Sequence, residues 1–195
     1  MRGLVVKGRS VSAARPAVRI ALLRGINVGR AKRVAMADLR ALVEDLGYRD
    51  VRTLLNSGNV VFTAPPKAPA NAAARIQKAL AAKLGVSART TVITSAELAA
   101  IVAENPLVKI AKDPTRLQTC VLADPADRAK LKPMLKQDWG KEVLALGTRV
   151  AYLWCPDGLL AGRLPEAVGR ALGDAVTTRN WATVTKLHAL TEARS

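Results

Sequence analysis

One order of elements, read twice along the chain, does most to limit what the chain can fold into. Val18 to Ile26 reads as a strand, Asn27 to Ala35 as a loop, and Met36 to Leu46 as a helix whose Leu39, Leu42, Val43 and Leu46 share one face. Gly47 stops it. Two short strands follow, Val51–Leu55 and Asn59–Thr63, around the turn residues Asn56, Ser57 and Gly58. Beyond Pro65, Pro66 and Pro69, a helix is expected over Asn71–Leu84, with Ile76, Leu80 and Leu84 on one side, and then a strand over Val86–Thr94. Thr94 and Glu97 have capping-box spacing and open a further helix, closed at Asn105-Pro106. The order is β-α-β-β-α-β plus a helix, and the six-element unit is that of a ferredoxin-like lobe.

The second half repeats the order. Leu117–Ala123 is a strand; Asp124-Pro125 opens a helix to about Gln137, which Pro133 kinks or splits. Glu142–Leu146 and Arg149–Trp154 form a hairpin at Gly147. Pro165 opens a short helix with Val168 and Leu172, which Gly173 ends, and the strand Ala175–Thr178 leads into a last helix, Trp181–Ala193. The expected fold is therefore α+β, in two lobes each of βαββαβ order with a closing helix. The expected boundaries are a disordered basic tail over 1–17, lobes over 18–105 and 116–195, and a linker over 106–115.

Composition permits this and narrows the setting. Half of the 195 residues are hydrophobic, enough for packed cores without disulfides. Cys120 and Cys155 lie in apolar runs without CxxC spacing, which fits free buried thiols in a reducing compartment. No apolar run reaches the ~20 residues a membrane span needs, and Leu4-Val5-Val6 is too short for a signal-peptide core. A cytoplasmic protein is expected, with no membrane partner, as a monomer or weak homodimer. The net charge is +16, and without the tail 27 basic residues still face 15 acidic ones. Such a field favours polyanions, nucleic acid among them. The 35 Ala and the 19 Arg against 12 Lys fit genomic composition equally well.

Three segments carry a resemblance: Ala21-Leu22-Leu23-Arg24-Gly25-Ile26-Asn27-Val28-Gly29; Asn56-Ser57-Gly58-Asn59-Val60-Val61-Phe62; and Thr178-Arg179-Asn180-Trp181 with Thr183-Val184 and Lys186-Leu187. In this order they resemble the bacterial family called domain of unknown function 1697, over about Val18 to Leu190. The resemblance implies a cytoplasmic, two-part α+β protein and no activity. The chain departs from the family's habit at Arg30, Ala31, Lys32, Arg33 and Ala35, at Leu107, where Phe is usual, and at Ala182, where Asn is usual.

No residue set identifies a reaction. The loop Gly25 to Arg33 joins strand to helix and brings together Arg24, Arg30, Lys32 and Arg33; helix-end amides and glycines there suit an anion, while the plain alternative is a solvated turn. Walker A and Rossmann patterns are absent. Asn56, Ser57 and Asn59 read first as turn residues. Asn180 suits an N-cap, Trp181 a core or interface anchor, and Arg179 either an anion or an ion pair. A dyad of the single histidine, His188, with a cysteine lacks an orienting third group. No cofactor is implied, and no His, Cys and carboxylate cluster has metal-ligand spacing. Tyr152 and Trp154 share a strand face, an RNA-stacking platform unless helices or the other lobe cover it.

The leading expectation is a module for a phosphate-bearing or other anionic ligand, with nucleic acid as one such ligand. Its expected contacts are Arg24, Asn27, Arg30, Lys32, Arg33, Asn59, Arg179 and Asn180. The alternatives are an enzyme acting on a small anionic metabolite in an inter-lobe cleft and a protein-interaction module.

Overall fold

The computed structural model describes residues 16–27 and 33–194. The first unit contains β1 (Ala17–Leu23), α1 (Met36–Asp45), β2 (Arg49–Leu54), β3 (Asn59–Ala64), α2 (Ala72–Leu84) and β4 (Thr90–Thr94), followed by α3 (Ser95–Ala103). Its strands form one antiparallel sheet in the order β2-β3-β1-β4. The second unit contains β5 (Leu117–Leu122), β6 (Val143–Leu146), β7 (Val150–Trp154), α4 (Arg163–Leu172), β8 (Val176–Asn180) and α5 (Trp181–Glu192). Its antiparallel sheet repeats the order as β6-β7-β5-β8. The fold is α+β, as the element order requires, and both sheets have the split-βαβ arrangement.

Local signals set most boundaries. The Asn71 side chain accepts from the Ala74 amide and opens α2, and Gly85 at φ 64° ends it in the left-handed region. Thr94 and Glu97 form the complete capping box of α3. The strand expected over Val86–Thr94 begins only at Thr90. One helix matches the expected extent but not the expected kind. The segment Pro125–Lys136 is a 3-10 helix, not an α-helix with a kink. Pro133 removes a donor and in α geometry would clash with the carbonyl four residues earlier. Leu131 is the segment's one buried residue, so no apolar stripe holds α geometry against that clash.

Both sheets are covered on both faces, which antiparallel sheets need not be. In the first, Ala21, Leu23, Val60 and Phe62 face α1 and α2. Alternate residues, Ile20, Leu22 and Val61, face the opposite way, where they meet Leu117, Val121, Val150 and Tyr152 of the second sheet around α3 and α5. The other face of the second sheet, with Cys120, Leu122 and Leu153, packs under α4 and Leu131. The two lobes therefore share a core. Leu107, within the segment expected as a linker, is buried in it. Tyr152, 0% exposed, donates its hydroxyl to the Ile101 carbonyl at 2.7 Å. Trp154 packs against the same core. The face read as a stacking platform is thus covered by the other lobe and its helix.

The duplication reaches the level of single hydrogen bonds. Leu23 N–H donates to Gly58 and Leu122 N–H to Arg149, at 2.8 and 3.1 Å; Arg24 N–H donates to Arg89 and Ala123 N–H to Ala175, both at 2.8 Å. Thr94 and Asn180 hold equivalent N-caps. Three residues before each cap stand Thr91 and Thr177, whose hydroxyls meet at 3.2 Å across the seam.

Arg149 ties the lobes together elsewhere. Its guanidinium is ion-paired with Glu97. Burial raises the Glu97 pKa, but the Thr94 amide and Arg149 outweigh it and hold the carboxyl below the usual glutamate range. A carboxyl with a depressed folded-state pKa stabilises the fold above that range and loses the contribution as pH falls through it. Glu97→Gln is expected to lower the melting temperature at neutral pH and to flatten its acid-side decline. Thermal melts over a pH series, read by circular dichroism, check both.

Candidate functional site

Seven of the eight expected contact residues have their side chains engaged by the protein itself or lie outside the described residues. Arg30 and Lys32 belong to the latter. Asn27, at φ 55°, donates to the Val34 and Asn56 carbonyls at 3.0 and 2.8 Å and accepts from the Val34 amide at 2.8 Å. It ties Val34 and Asn56 to the end of the β1 segment, a role for which Asn suits because it tolerates positive φ. Asn59, 0% exposed, donates to the Leu54 carbonyl and to Ser57 Oγ, closing the β2–β3 hairpin. Asn180 accepts from the Thr183 amide and hydroxyl as the α5 N-cap. Trp181 beside it is buried in the shared core.

Arg179 comes from the second lobe and is held by the first. Its Nε–H donates to Asn59 Oδ1 at 2.5 Å, and Nη2 to the Leu23 and Ser57 carbonyls at 2.7 and 2.8 Å. Nη1 donates to the Thr178 carbonyl at 2.8 Å. All these partners are neutral, and burial pulls the pKa down to about 10. A guanidinium carries five N–H groups, so one on Nη1 stays available. The residue is first a clamp between the lobes.

Arg24 is differently placed. It follows β1 and reaches over the seam, with Nη1 on the Val176 carbonyl at 2.6 Å and Nε 3.5 Å from Asp174. Its side chain keeps 38% of its exposure. Two cavities flank it. The first, about 650 Å³, is bounded by Arg24 and Gly25, by Gln77 and Lys78 of α2, by Ser87 and Arg89 ahead of β4, and by Asp174. Among the described residues, three cations from separate elements thus border a cavity with one acid. Lys78 and Arg89 carried no sequence signal, because nothing local to a helix face or a strand entry announces what the opposite lobe will bring beside it. The second cavity, about 700 Å³, lies beside α4 and shares only Arg24 and Gly25 with the first. Arg33 is exposed and borders a smaller hollow with Asn27 and Asn56.

The thiols are not activated. Burial pushes Cys120 up to about 11 and Cys155 up to about 12. Both lie on the α4 face of the second sheet, whereas α5, which carries His188, packs on the opposite face. The sheet separates any such dyad. His188 instead stands 3.7 Å from Glu192. Among the described residues no group of three or more His, Cys, Asp or Glu is placed to hold a metal ion, and no helix is long and apolar enough to cross a membrane.

Two ferredoxin-like lobes sharing a core, with basic cavities at the seam, define the class of α+β protein. The chain belongs to the family described as protein of unknown function (DUF1697), which matches it over residues 17–152. That match takes in the first two motifs; the third, around Arg179, lies beyond it. In fold the chain is similar to a conserved bacterial protein from Streptococcus pneumoniae, at 20% identity and a TM-score of 0.75, over 91% of this chain and 99% of that one. No curated protein matches the chain.

Proposed function

We propose that the chain is a cytoplasmic binding protein for a small phosphate-bearing or similarly anionic ligand, held in the first seam cavity around Arg24. The observation that carries this reading is the convergence of Arg24, Lys78 and Arg89 on a cavity whose single acid is Asp174. A cavity of this size is within the usual range for small-ligand sites of roughly 300–1,000 Å³. Asp174 already meets Arg24, so Lys78 and Arg89 supply the excess charge. Ser87 and Gln77 add polar atoms, and Gln77 is fixed by accepting from the Thr90 amide at 3.0 Å. A concave site favours a small ligand over nucleic acid, and burial of Tyr152 removes the stacking surface a single strand would use.

Calorimetry with pyrophosphate and a nucleoside monophosphate tests this, alongside labelled RNA and DNA at low and near-physiological salt. Charge-assisted hydrogen bonds contribute about 1.5–3 kcal/mol, so Arg24→Ala is expected to weaken phosphate binding by roughly 10- to 100-fold. Its melting temperature should stay close to that of the parent chain, because a half-exposed ion pair contributes about 1 kcal/mol or less. Binding that is unchanged in Arg24→Ala would overturn the site. Binding of nucleic acid alone, persisting at physiological salt, would replace the small ligand with a polyanion.

A further inference from the structure

The second cavity has a different chemistry from the first. Beneath it lie Leu153 and Val176 of the second sheet, Cys120, and Val168 of α4, all buried, and its open apolar surface comes from Leu159, Leu160, Ala161 and Pro165. Leu159 and Leu160 stand at its edge in the segment before α4. They are 40% and 100% exposed, so Leu159 is partly packed and Leu160 is unpacked beside the hollow. Cations border the same space: Arg24, Arg163 and Arg179. Its acid, Glu166, is ion-paired with Arg170 one turn further along α4. Arg24 has Asp174, and Arg179 has carbonyl partners only. Arg163 has no ion-pair partner among the described residues. A cavity of about 700 Å³ edged by exposed leucines and an uncompensated guanidinium calls for a molecule with both an apolar body and an acidic head.

We propose that this second cavity binds an amphipathic carboxylic acid, its alkyl body against Leu159, Leu160 and Pro165, and its carboxylate answered by Arg163 and Arg24. A carboxylate suits the site better than a doubly charged phosphate, because two of the bordering cations already have protein partners. The alkyl body completes the burial that the leucines lack. The cavity shares Arg24 and Gly25 with the phosphate site, and Arg163 and Gly169, which border this cavity and not the first, let the two be tested apart.

Gly169 offers a clean test. It borders the cavity from the middle of α4, and a Cβ built there meets nothing within 4 Å. Gly169→Phe therefore fills the space without an initial clash and removes a helix-interior glycine. Decanoate, below its micellar concentration, is titrated into the full chain by calorimetry, with decanol and acetate as partners that lack the charge or the chain. Decanoate is expected to bind at least ~10-fold more tightly than either, since one charge-assisted contact and the alkyl burial each contribute more than 1.4 kcal/mol. Gly169→Phe and Arg163→Ala should each weaken decanoate ~10-fold or more, and Gly169→Phe should leave pyrophosphate binding in the first cavity unchanged. Should Gly169→Phe fail to fold, Leu160→Lys replaces it, because a fully exposed side chain cannot disturb the core; it is expected to weaken decanoate by several-fold. Equal affinity for decanol and decanoate overturns the proposal, as does decanoate binding that survives both the Arg163 change and the cavity or leucine change. Loss of pyrophosphate binding alone, with decanoate intact, sinks the phosphate reading and leaves this one standing.

Discussion

Arg179→Met is expected to destabilise the chain by about 2–4 kcal/mol, a drop in melting temperature of roughly 5–15 °C for a chain of this size. The guanidinium joins Asn59 Oδ1, the Leu23 and Ser57 carbonyls and its own neighbour's carbonyl, Thr178. Methionine fills a similar volume but donates to none of them. Each acceptor stranded away from water costs about 1–3 kcal/mol. An offset acts the other way, since the buried charge is itself unfavourable, which is why its pKa falls to about 10. The net stays destabilising because the partners are fixed on the first lobe and cannot follow the second. Arg179→Lys should recover little of the loss: an ammonium lacks the planar fork that reaches Asn59 on one side and Leu23 with Ser57 on the other. Chemical denaturation of the three chains measures this. A methionine chain as stable as the parent would mean that the clamp contributes no net stability. The same reasoning separates Arg179 from Arg24. The sequence makes both of them contact candidates; the geometry gives Arg179 a clamping role in the fold and leaves Arg24 as the proposed ligand contact.

What was legible in the sequence was what depends on near neighbours. The periodic Leu39, Leu42 and Val43 place α1, and the Thr94–Glu97 spacing places the start of α3. The βαββαβ order, present twice, specifies both sheets. Pro125–Lys136 has helix-forming residues but no apolar stripe to hold α geometry, so its composition does not distinguish the 3-10 form from the α form. The site was less legible. Arg24 was found because it stands at the end of a strand, and Arg179 because it precedes an N-cap. Which of them keeps free donors depends on contacts 120 to 156 residues apart, and these no local pattern encodes. Lys78, Arg89 and Arg163 look like ordinary solvated charges until the opposite lobe turns their surroundings into cavities.

Gly58→Ala is the second large effect, and it shows why the Asn-Ser-Gly-Asn turn reads as it does. Gly58 sits at φ 77°, where an L side chain costs roughly 1–2 kcal/mol. A Cβ there would also stand 2.8 Å from Leu23 Cβ and 2.8 Å from Ile26 Cδ1. Ile26 can turn its terminal methyl aside. Leu23 Cβ cannot move without its backbone, whose amide donates to the Gly58 carbonyl at 2.8 Å and whose carbonyl accepts from Arg179. Forced overpacking of this kind typically costs a further 1–3 kcal/mol, so the expected loss is roughly 2–5 kcal/mol. Gly47→Ala isolates the two parts. Gly47 follows α1 at φ 85° with nothing within 4 Å of a new Cβ, so it should show the backbone cost alone. The difference between the two losses, measured by denaturant titration, reports the contact with Leu23. Equal losses would mean that the hairpin slides away from β1 at little cost. In that case the carbonyls that hold Arg179 are not fixed in place by the turn, and the clamp must draw its rigidity from Asn59 instead.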